Sequence, residues 1–572
     1  MKKLLIGNAA IARGAFEAGV SVATAYPGTP STEITEYIAK YDDIYCEWSP
    51  NEKVALEVAI GSSIAGARSI CSMKHVGLNV AADPLFTCSY TGINGGLVIV
   101  VADDPGMHSS QNEQDSRFYA RSAHIPMLEP SDSSEAKEFI KLAFKMSEEY
   151  DTPVFIRLTT RVAHSQSFVI ENDRLEKMVK PYVKDIPKYV MVPGHAKKRH
   201  VIVEDRMNRL SNDVNCNPIN FEEINDLKLG IICSGAVYQY VKEAVSFASV
   251  FKVGTVYPLP IKAIESFSKK VERLVVVEEL EPFIQNQLNA AGIKCEGKNI
   301  FSKQGELSVS KIAEVFTGKK QKLEEISLPQ RPPVMCAGCP HRGIFYILNK
   351  LKITVSGDIG CYSLGAMAPL NSMDAVMCMG ASIGMAHGME KAQGRDFSKK
   401  TVGIIGDSTF IHSGITGLIN AVYNKSNITL LILDNSTTGM TGHQEHAATG
   451  KNVKGDIAPK LNLFELCRAC GVKNVVKVKA YDLESCEKAI VKELSNDNVS
   501  VIIVEQPCAL LDKSKKIPYK INTNCKNCKI CLKLGCPAIC AVENGVKIDS
   551  SQCTGCGICQ SVCKFNAIEV NA

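Results

Sequence analysis

The chain has 572 residues, 45% of them hydrophobic and 22% charged, with a net charge of +5. That length holds several domains, the composition is that of a globular protein, and so small a net charge gives no reason to expect a nucleic acid partner. No stretch is apolar for long enough to span a membrane. The opening MKKLLIGNAAIARGAFEAGV imitates a signal peptide, but Arg13 and Glu17 interrupt it. With 23 cysteines and no such signal, a reducing cytoplasm is the expected compartment.

Strand-like runs alternate with helical periodicity along most of the chain, which predicts an α/β fold built on parallel sheets. In residues 1–165 the runs KKLLIG, SVATAY, GGLVIVVADD and TPVFIRLTT read as buried parallel strands. Two positions stand out in this unit. Thr29 lies in the turn Tyr26-Pro27-Gly28-Thr29-Pro30, and Glu52 opens an alanine- and glycine-rich helical run. Thr29 also reads as an ordinary helix cap before Pro30, and Glu52 as a first-turn glutamate favoured by the helix dipole. The polar segment ADDPGMHSSQNEQDSRFY follows a strand end, where active-site loops are built. It offers His108, Gln111 and Arg117 for holding a carboxylate, or simply a solvated loop. Residues 166–225 are polar and read as a linker or insertion. A second α/β unit covers 226–318, the lysine- and proline-rich TGKKQKLEEISLPQRPP is a second linker, and a third α/β unit covers 331–511.

The third unit holds a pattern of oxygen ligands. TVGIIGDSTF is a strand ending in Gly406-Asp407-Ser408, and 25 residues later NITLLILDNSTTGMTG is a strand ending in Asp434-Asn435. Adjacent strand ends of this kind meet at the carboxyl edge of a parallel sheet, where such sheets bind ligands. The Asp407 carboxylate, the Asn435 side-chain oxygen and the Thr437 carbonyl would give magnesium hard oxygen ligands, with a diphosphate supplying more. A second Gly-Asp, at 357–358, has no such partner, since the same spacing lands on Met385 and Ala386. The run MGASIGMAHG sets Gly380, Gly384 and Gly388 on one helical face suited to close packing, with a helix start able to hold phosphate. Cys336 and Cys339 lie at the start of this unit, Cys361 lies further inside it and Cys508 closes it. They read as a candidate ligand set or as a C-x2-C with two buried thiols. Cys467 and Cys470 lie in a helical run and read as core.

Residues 515–572 carry nine cysteines, in C-x2-C-x2-C-x4-C-P (Cys525, Cys528, Cys531, Cys536) and C-x2-C-x2-C-x3-C (Cys553, Cys556, Cys559, Cys563), with Cys540 spare. Triplets at this spacing suit four-iron cubanes, whereas zinc sites use separated pairs.

The tail resembles bacterial ferredoxins, with one extra residue before Cys536 and Lys564 where proline often follows. The resemblance implies a small α+β domain with exchanged fourth ligands: one [4Fe-4S] core on Cys525, Cys528, Cys531 and Cys563, and another on Cys553, Cys556, Cys559 and Cys536. Cys540 would compete with Cys536. The third unit resembles the thiamine diphosphate motif, with Ser408 and Asp434 where the motif has glycine and asparagine. Gly380, Gly406, Ser408, Asp407, Asn435 and Thr437 become cofactor-binding candidates. The first unit looks like the pyrimidine-binding domain of 2-oxoacid:ferredoxin oxidoreductases, in which Glu52 would activate the coenzyme and Thr29 would contact ring or substrate. The third unit would then be the thiamine diphosphate/magnesium domain, and 226–318 a transketolase C-terminal-like domain. Cys336, Cys339, Cys361 and Cys508 match the order of a third four-iron core in this family.

From MKHVGLNVAADPL, CAGCPHRG, GDIGCYSLG and MGASIGMAHG, the whole chain resembles the large subunits of indolepyruvate:ferredoxin oxidoreductases. The implied activity is oxidative decarboxylation of aryl 2-oxoacids with coenzyme A, electrons passing to an external ferredoxin. The implied partners are a small beta subunit, in a dimer of heterodimers, with no nucleic acid and no membrane. Lysines 513, 515, 516, 520, 526, 529 and 533 would steer an acidic ferredoxin, or only confer solubility. Two rivals are a non-oxidative thiamine-dependent decarboxylase and an electron-transfer subunit with a degenerate thiamine site.

Overall fold

The computed structural model describes residues 2–176, 179–318, 329, 332–514, 516–543 and 545–571. The chain divides into two compact units, 1–326 and 327–572. The second expected linker, 317–333, falls mostly on residues 319–331 and lies largely outside the described residues, as does Lys515. Among the described residues no helix is long and apolar enough to cross a membrane.

The first unit is built on a seven-stranded sheet in the order Thr255–Tyr257, Met127–Leu128, Val154–Thr159, Leu97–Asp103, Ser69–Lys74, Val22–Ala25, Tyr45–Trp48. All pairings are parallel except the first. Leu97–Asp103 (LVIVVAD) is buried at every position, which is why it shows no alternation: a central parallel strand is covered on both faces. Phe144 and Phe155 are fully buried, each worth about 1.5–3 kcal/mol in transfer from water. The helix Ser133–Tyr150 is capped by Asp132, whose Oδ1 accepts from Glu135 N at 2.9 Å. A second sheet orders Arg273–Val277, Asp226–Ser234, Ala248–Val253 and Phe221–Glu223, parallel except at the last pairing.

Two stretches depart from the sequence reading. The KKLLIG run is not a buried parallel strand. Lys2–Ile6 pairs antiparallel with Gln166–Ile170 outside the main sheet, and Leu4 is exposed. Its apolar run resembles a core strand locally, and only a distant partner decides the pairing. The polar segment 166–225 also carries a 21-residue helix, Pro193–Asp213, with proline at its first turn. That helix docks through arginines. Arg199 donates to the Tyr90 carbonyl at 2.7 Å and to Asp151 Oδ2 at 3.0 Å. Arg206 donates to the Asp151 and Ser89 carbonyls at 2.8 and 2.9 Å. Buried contacts made by guanidinium groups leave a polar sequence signature.

The second unit is built on a five-stranded parallel sheet in the order Thr354–Ser356, Thr401–Gly406, Thr429–Asp434, Ser500–Glu505, Asn474–Lys479. Its tail adds two small antiparallel ladders, Tyr519–Ile521 with Ile568–Val570 and Ile539–Val542 with Gly545–Ile548. Cys467 is buried, in the helix Leu463–Ala469, with Cys470 at its end.

Candidate functional site

At the carboxyl edge of the five-stranded sheet, strand Thr401–Gly406 hands the chain to Asp407. A Cβ on Gly406 would come within 2.6 Å of the Tyr362 ring, so only glycine fits. Tyr362 is held by its hydroxyl, which donates to the Ile359 carbonyl at 2.8 Å. In the adjacent strand Leu433 is level with Gly406, which sets Asn435 beside Asp407. The far side of that turn is tied down too: Gln506 N donates to Asp434 O and Cys508 N to Asn435 O, both at 3.0 Å.

Asp407, Asn435 and Thr437 are all buried. The Asn435 side-chain oxygen lies 3.2 Å from Asp407 Oδ1 and 2.9 Å from the Thr437 carbonyl oxygen. Three acceptors facing one another with no donor between them are unfavourable in a buried place. Two arrangements relieve this. Turning the amide lets its nitrogen donate to both neighbours. Alternatively, a divalent cation satisfies all three oxygens as placed, and the hard donor set fits magnesium. Asp407 Oδ2 accepts from Ser436 N at 2.9 Å and lies 3.2 Å from His446 Nε2, while Oδ1 faces Asn435. Burial, with Asp407 adjacent, pushes the Asp434 carboxyl up to about 6, and it accepts from Ser436 N at 2.9 Å. Ser408, where the motif has glycine, accepts from Thr438 Oγ1 at 3.0 Å.

The helix Ala381–Gln393 differs from expectation. The amides of Gly380 and Ser382, assigned by the sequence reading to phosphate, donate to Asp358 at 2.9 and 3.0 Å. Asp358, in the second Gly-Asp pair, is a fully buried cap for this helix start. Gly380 is required by contact and conformation: φ is +86°, and a Cβ would come within 2.5 Å of Ser413. Gly384 and Gly388 are exposed, with no neighbour within 4 Å, so close packing does not explain them within this chain.

The cysteines gather in quartets. Burial pushes the Cys339 thiol up to about 12, and nearby Cys361 and Cys336 act the same way. Burial takes Cys361 to about 11, with Cys508 and Cys336 adding to it. Cys361 is therefore near Cys508 and Cys336, and Cys339 near Cys361 and Cys336. A methyl group on Gly439 would lie 3.4 Å from both Cys361 Sγ and Asn435 Nδ2, so this quartet adjoins the oxygen cluster. In the tail, Cys536, Cys553, Cys556 and Cys559 line one cavity of about 410 Å³. Cys525, Cys528, Cys531 and Cys563 line another of about 360 Å³. Amides of Tyr519 and Ala567 donate to Cys553 and Cys563 Sγ, each at 3.4 Å. Cys540 is exposed and lines neither cavity. Among the described residues no group of three His, Cys, Asp or Glu side chains is placed to hold a single metal ion. Lys526 and Lys529 line the second cavity, and Lys513, Lys516 and Lys533 are also exposed, with Lys520 half-buried.

In the first unit, Glu52 starts the helix Glu52–Ile64 behind its cap Asn51. It is buried rather than solvated, and a Cβ on Gly77 would lie 2.5 Å from its Oε1. Thr29 is not a helix cap: the helix Thr32–Ile38 begins after Ser31. Its carbonyl accepts from Ser109 Oγ at 3.3 Å. Lys74, which the sequence reading passed over, ends a strand beside this turn. Its Nζ donates to Ser109 O at 2.6 Å, and a Cβ on Gly28 would lie 3.0 Å from Lys74 Cβ. Burial pulls its ammonium down to about 8. Of the loop candidates, Arg117 is committed elsewhere: it is 1% exposed and bonds Asp115 at 2.6 Å and Glu278 at 2.7 Å. His108 pairs with Glu306 at 2.9 Å, and Gln111 is exposed. No spacing rule could have singled out Lys74, Tyr362 or His446, because their partners lie far off in sequence.

Comparison with known proteins agrees with this layout. Residues 13–206 match the family "Pyruvate flavodoxin/ferredoxin oxidoreductase, thiamine diP-bdg". Residues 358–504 match "Thiamine pyrophosphate enzyme, C-terminal TPP binding domain", and 546–569 match "4Fe-4S binding domain". A protein of Archaeoglobus fulgidus called indolepyruvate oxidoreductase subunit IorA is 39% identical over 99% of this chain and 97% of its own. Its namesake from Pyrococcus horikoshii is also 39% identical, over 99% and 97%. Among solved structures, a 2-oxoglutarate:ferredoxin oxidoreductase from Magnetococcus marinus is 17% identical over 55% of this chain and 64% of its own. Its TM-score of 0.48 is too low to carry weight.

Proposed function

We propose, on the premise that the chain belongs to the indolepyruvate oxidoreductase subunit IorA family, that it is the large subunit of a 2-oxoacid:ferredoxin oxidoreductase acting on aryl 2-oxoacids. A 2-oxoacid, coenzyme A and two oxidised ferredoxins give acyl-CoA, carbon dioxide, two reduced ferredoxins and a proton. Indolepyruvate and its phenyl analogues are the proposed substrates. A small beta subunit completes the enzyme as a dimer of heterodimers in a reducing cytoplasm.

Thiamine diphosphate, when bound, supplies a carbon nucleophile for the keto group. The residues of the chain do the rest. Asp407, Asn435 and the Thr437 carbonyl hold the magnesium that binds the diphosphate. Glu52 holds the proton at the pyrimidine ring, and its buried position over Gly77 suits a carboxylate shielded from water. Lys74 holds the substrate carboxylate. It is a buried cation with no carboxylate within ion-pair distance among the described residues, next to the Thr29 turn, whereas Arg117 is already paired. The two tail quartets, and Cys336 with Cys339, Cys361 and Cys508, hold three four-iron cores that take electrons singly.

The observation that carries this reading is the convergence of the buried Asp407 carboxylate, Asn435 side chain and Thr437 carbonyl at one sheet edge, with Cys361 beside them. The test is the composition of anaerobically purified complex. Bound thiamine diphosphate with magnesium and about twelve irons per large subunit is expected, at four irons per core. Absence of the vitamin, or aldehyde release from 2-oxoacid without an electron acceptor, would overturn the reading.

A further inference from the structure

Arg342 is a buried guanidinium whose charge has no carboxylate partner. It follows His341 at the start of the helix His341–Leu351 and is 2% exposed. Its Nη1 donates to the Leu534 carbonyl at 2.7 Å, and its Nη2 to the Met335 and Cys336 carbonyls at 2.5 and 3.0 Å. Nε is buried without a hydrogen-bond partner. No Asp or Glu among the described residues lies within 4 Å of it. A guanidinium stays charged at any working pH, and a buried charge without a counter-ion is costly. Its surroundings therefore have to contain negative charge of another kind.

In the iron-loaded protein that charge would be the sulfur of the ligating cysteines. Met335 and Cys336 belong to the loop of one quartet, and Leu534 stands two residues before Cys536 of another. Arg342 also lines the cavity formed by Cys536, Cys553, Cys556 and Cys559. The two loops touch: a Cβ on Gly338 would lie 2.1 Å from Thr554 Oγ1, and Tyr481 Oη donates to Gly338 O at 2.8 Å. Arg342 thus ties together the loops that carry two cysteine sets.

We propose that Arg342 is the counter-charge of this junction, raising the reduction potentials of the cores on Cys336/Cys339/Cys361/Cys508 and Cys536/Cys553/Cys556/Cys559. It is a positioning and tuning residue, not a catalytic one. A transfer between them oxidises one core by one electron and reduces the other by one, with no bond made or broken. A fixed cation stabilises the more negative, reduced form of a nearby core most strongly where the dielectric constant is low.

This rests on the three-core reading. The test is an EPR-monitored redox titration of the anaerobic complex carrying Arg342→Gln or Arg342→Lys, with iron counted in each. In the glutamine variant at full iron, two of the three midpoints should move to lower potential, while the Cys525/Cys528/Cys531/Cys563 signal stays. The lysine variant, which keeps the charge, should stay near wild type. Unchanged midpoints in a fully loaded glutamine variant would overturn the inference alone. If the glutamine variant loses iron, the lysine variant decides. Full iron with wild-type midpoints supports a charge role, and lowered midpoints or loss of iron overturn it in favour of a purely structural clamp. Wild-type complex with about eight irons and two signals would instead remove the third core, and the premise with it.

Discussion

The carboxyl edges of the two large sheets treat buried polar groups in opposite ways. At the edge of the seven-stranded sheet, charges are paired inside the fold. Arg157 donates to Asp103 at 2.7 Å and Glu129 at 2.6 Å, and Arg117 is bound by Asp115 and Glu278. At the edge of the five-stranded sheet, the buried Asp407, Asn435 and Thr437 carbonyl converge with no cationic side chain but His446 against them among the described residues. Paired buried charges belong to the scaffold, whereas a cluster of hard oxygen donors at a sheet edge suits the binding of a divalent cation. On the first edge, Lys74 stands outside these ion pairs among the described residues, beside the Thr29 turn.

Four substitutions probe that contrast. Glu52→Gln keeps the packing over Gly77 and removes the base. Turnover with a 2-oxoacid should fall roughly 10²–10⁴-fold, the scale of a general base, with iron content unchanged. Near-normal turnover would strike Glu52 from the site. Arg157→Met should instead act on stability, costing about 3–5 kcal/mol by leaving Asp103 and Glu129 buried and unpaired. The chain's single tryptophan, Trp48, lies in the same sheet, so its fluorescence during denaturant unfolding is the measurement. Unchanged stability would mean that the pairs are not scaffold. Lys74→Met should raise KM for the 2-oxoacid about tenfold to a hundredfold, the worth of one charged hydrogen bond. Because burial sets the Lys74 ammonium at about 8, the wild-type KM should be low below that pH and climb as pH rises through it. A flat KM profile would remove Lys74 from the substrate. The smallest effect is expected from Cys540→Ser, which should leave iron content as it is, since Cys540 lies outside both cavities. Iron loss there would reopen its rivalry with Cys536.

What the sequence disclosed follows how far apart the partners are along the chain. The cysteine triplets are legible because three ligands fall within seven residues of one loop. Asp407 and Asn435 are legible because parallel strands end together. Arg342 and its Leu534 carbonyl are 192 residues apart, and no local pattern announces that pair. The capping role of Asp358 was hidden for the opposite reason: its Gly-Asp setting looks like the metal motif, while its actual partners, Gly380 and Ser382, are more than twenty residues on. The arginine-docked helix Pro193–Asp213 reads as linker because periodicity rules score apolar residues, and its anchors are cations.

The strand Thr255–Tyr257 closes one end of the seven-stranded sheet by pairing antiparallel with Met127–Leu128. A fragment cut anywhere between 166 and 254 would strip that cover and expose a bare row of peptide groups, the kind of margin on which other chains assemble. Dissecting this protein for crystallisation or for domain-by-domain redox work therefore has to respect a seam that crosses the apparent border near residue 225. Residues 1–318 should be expressed together, or the shorter piece will be lost to aggregation.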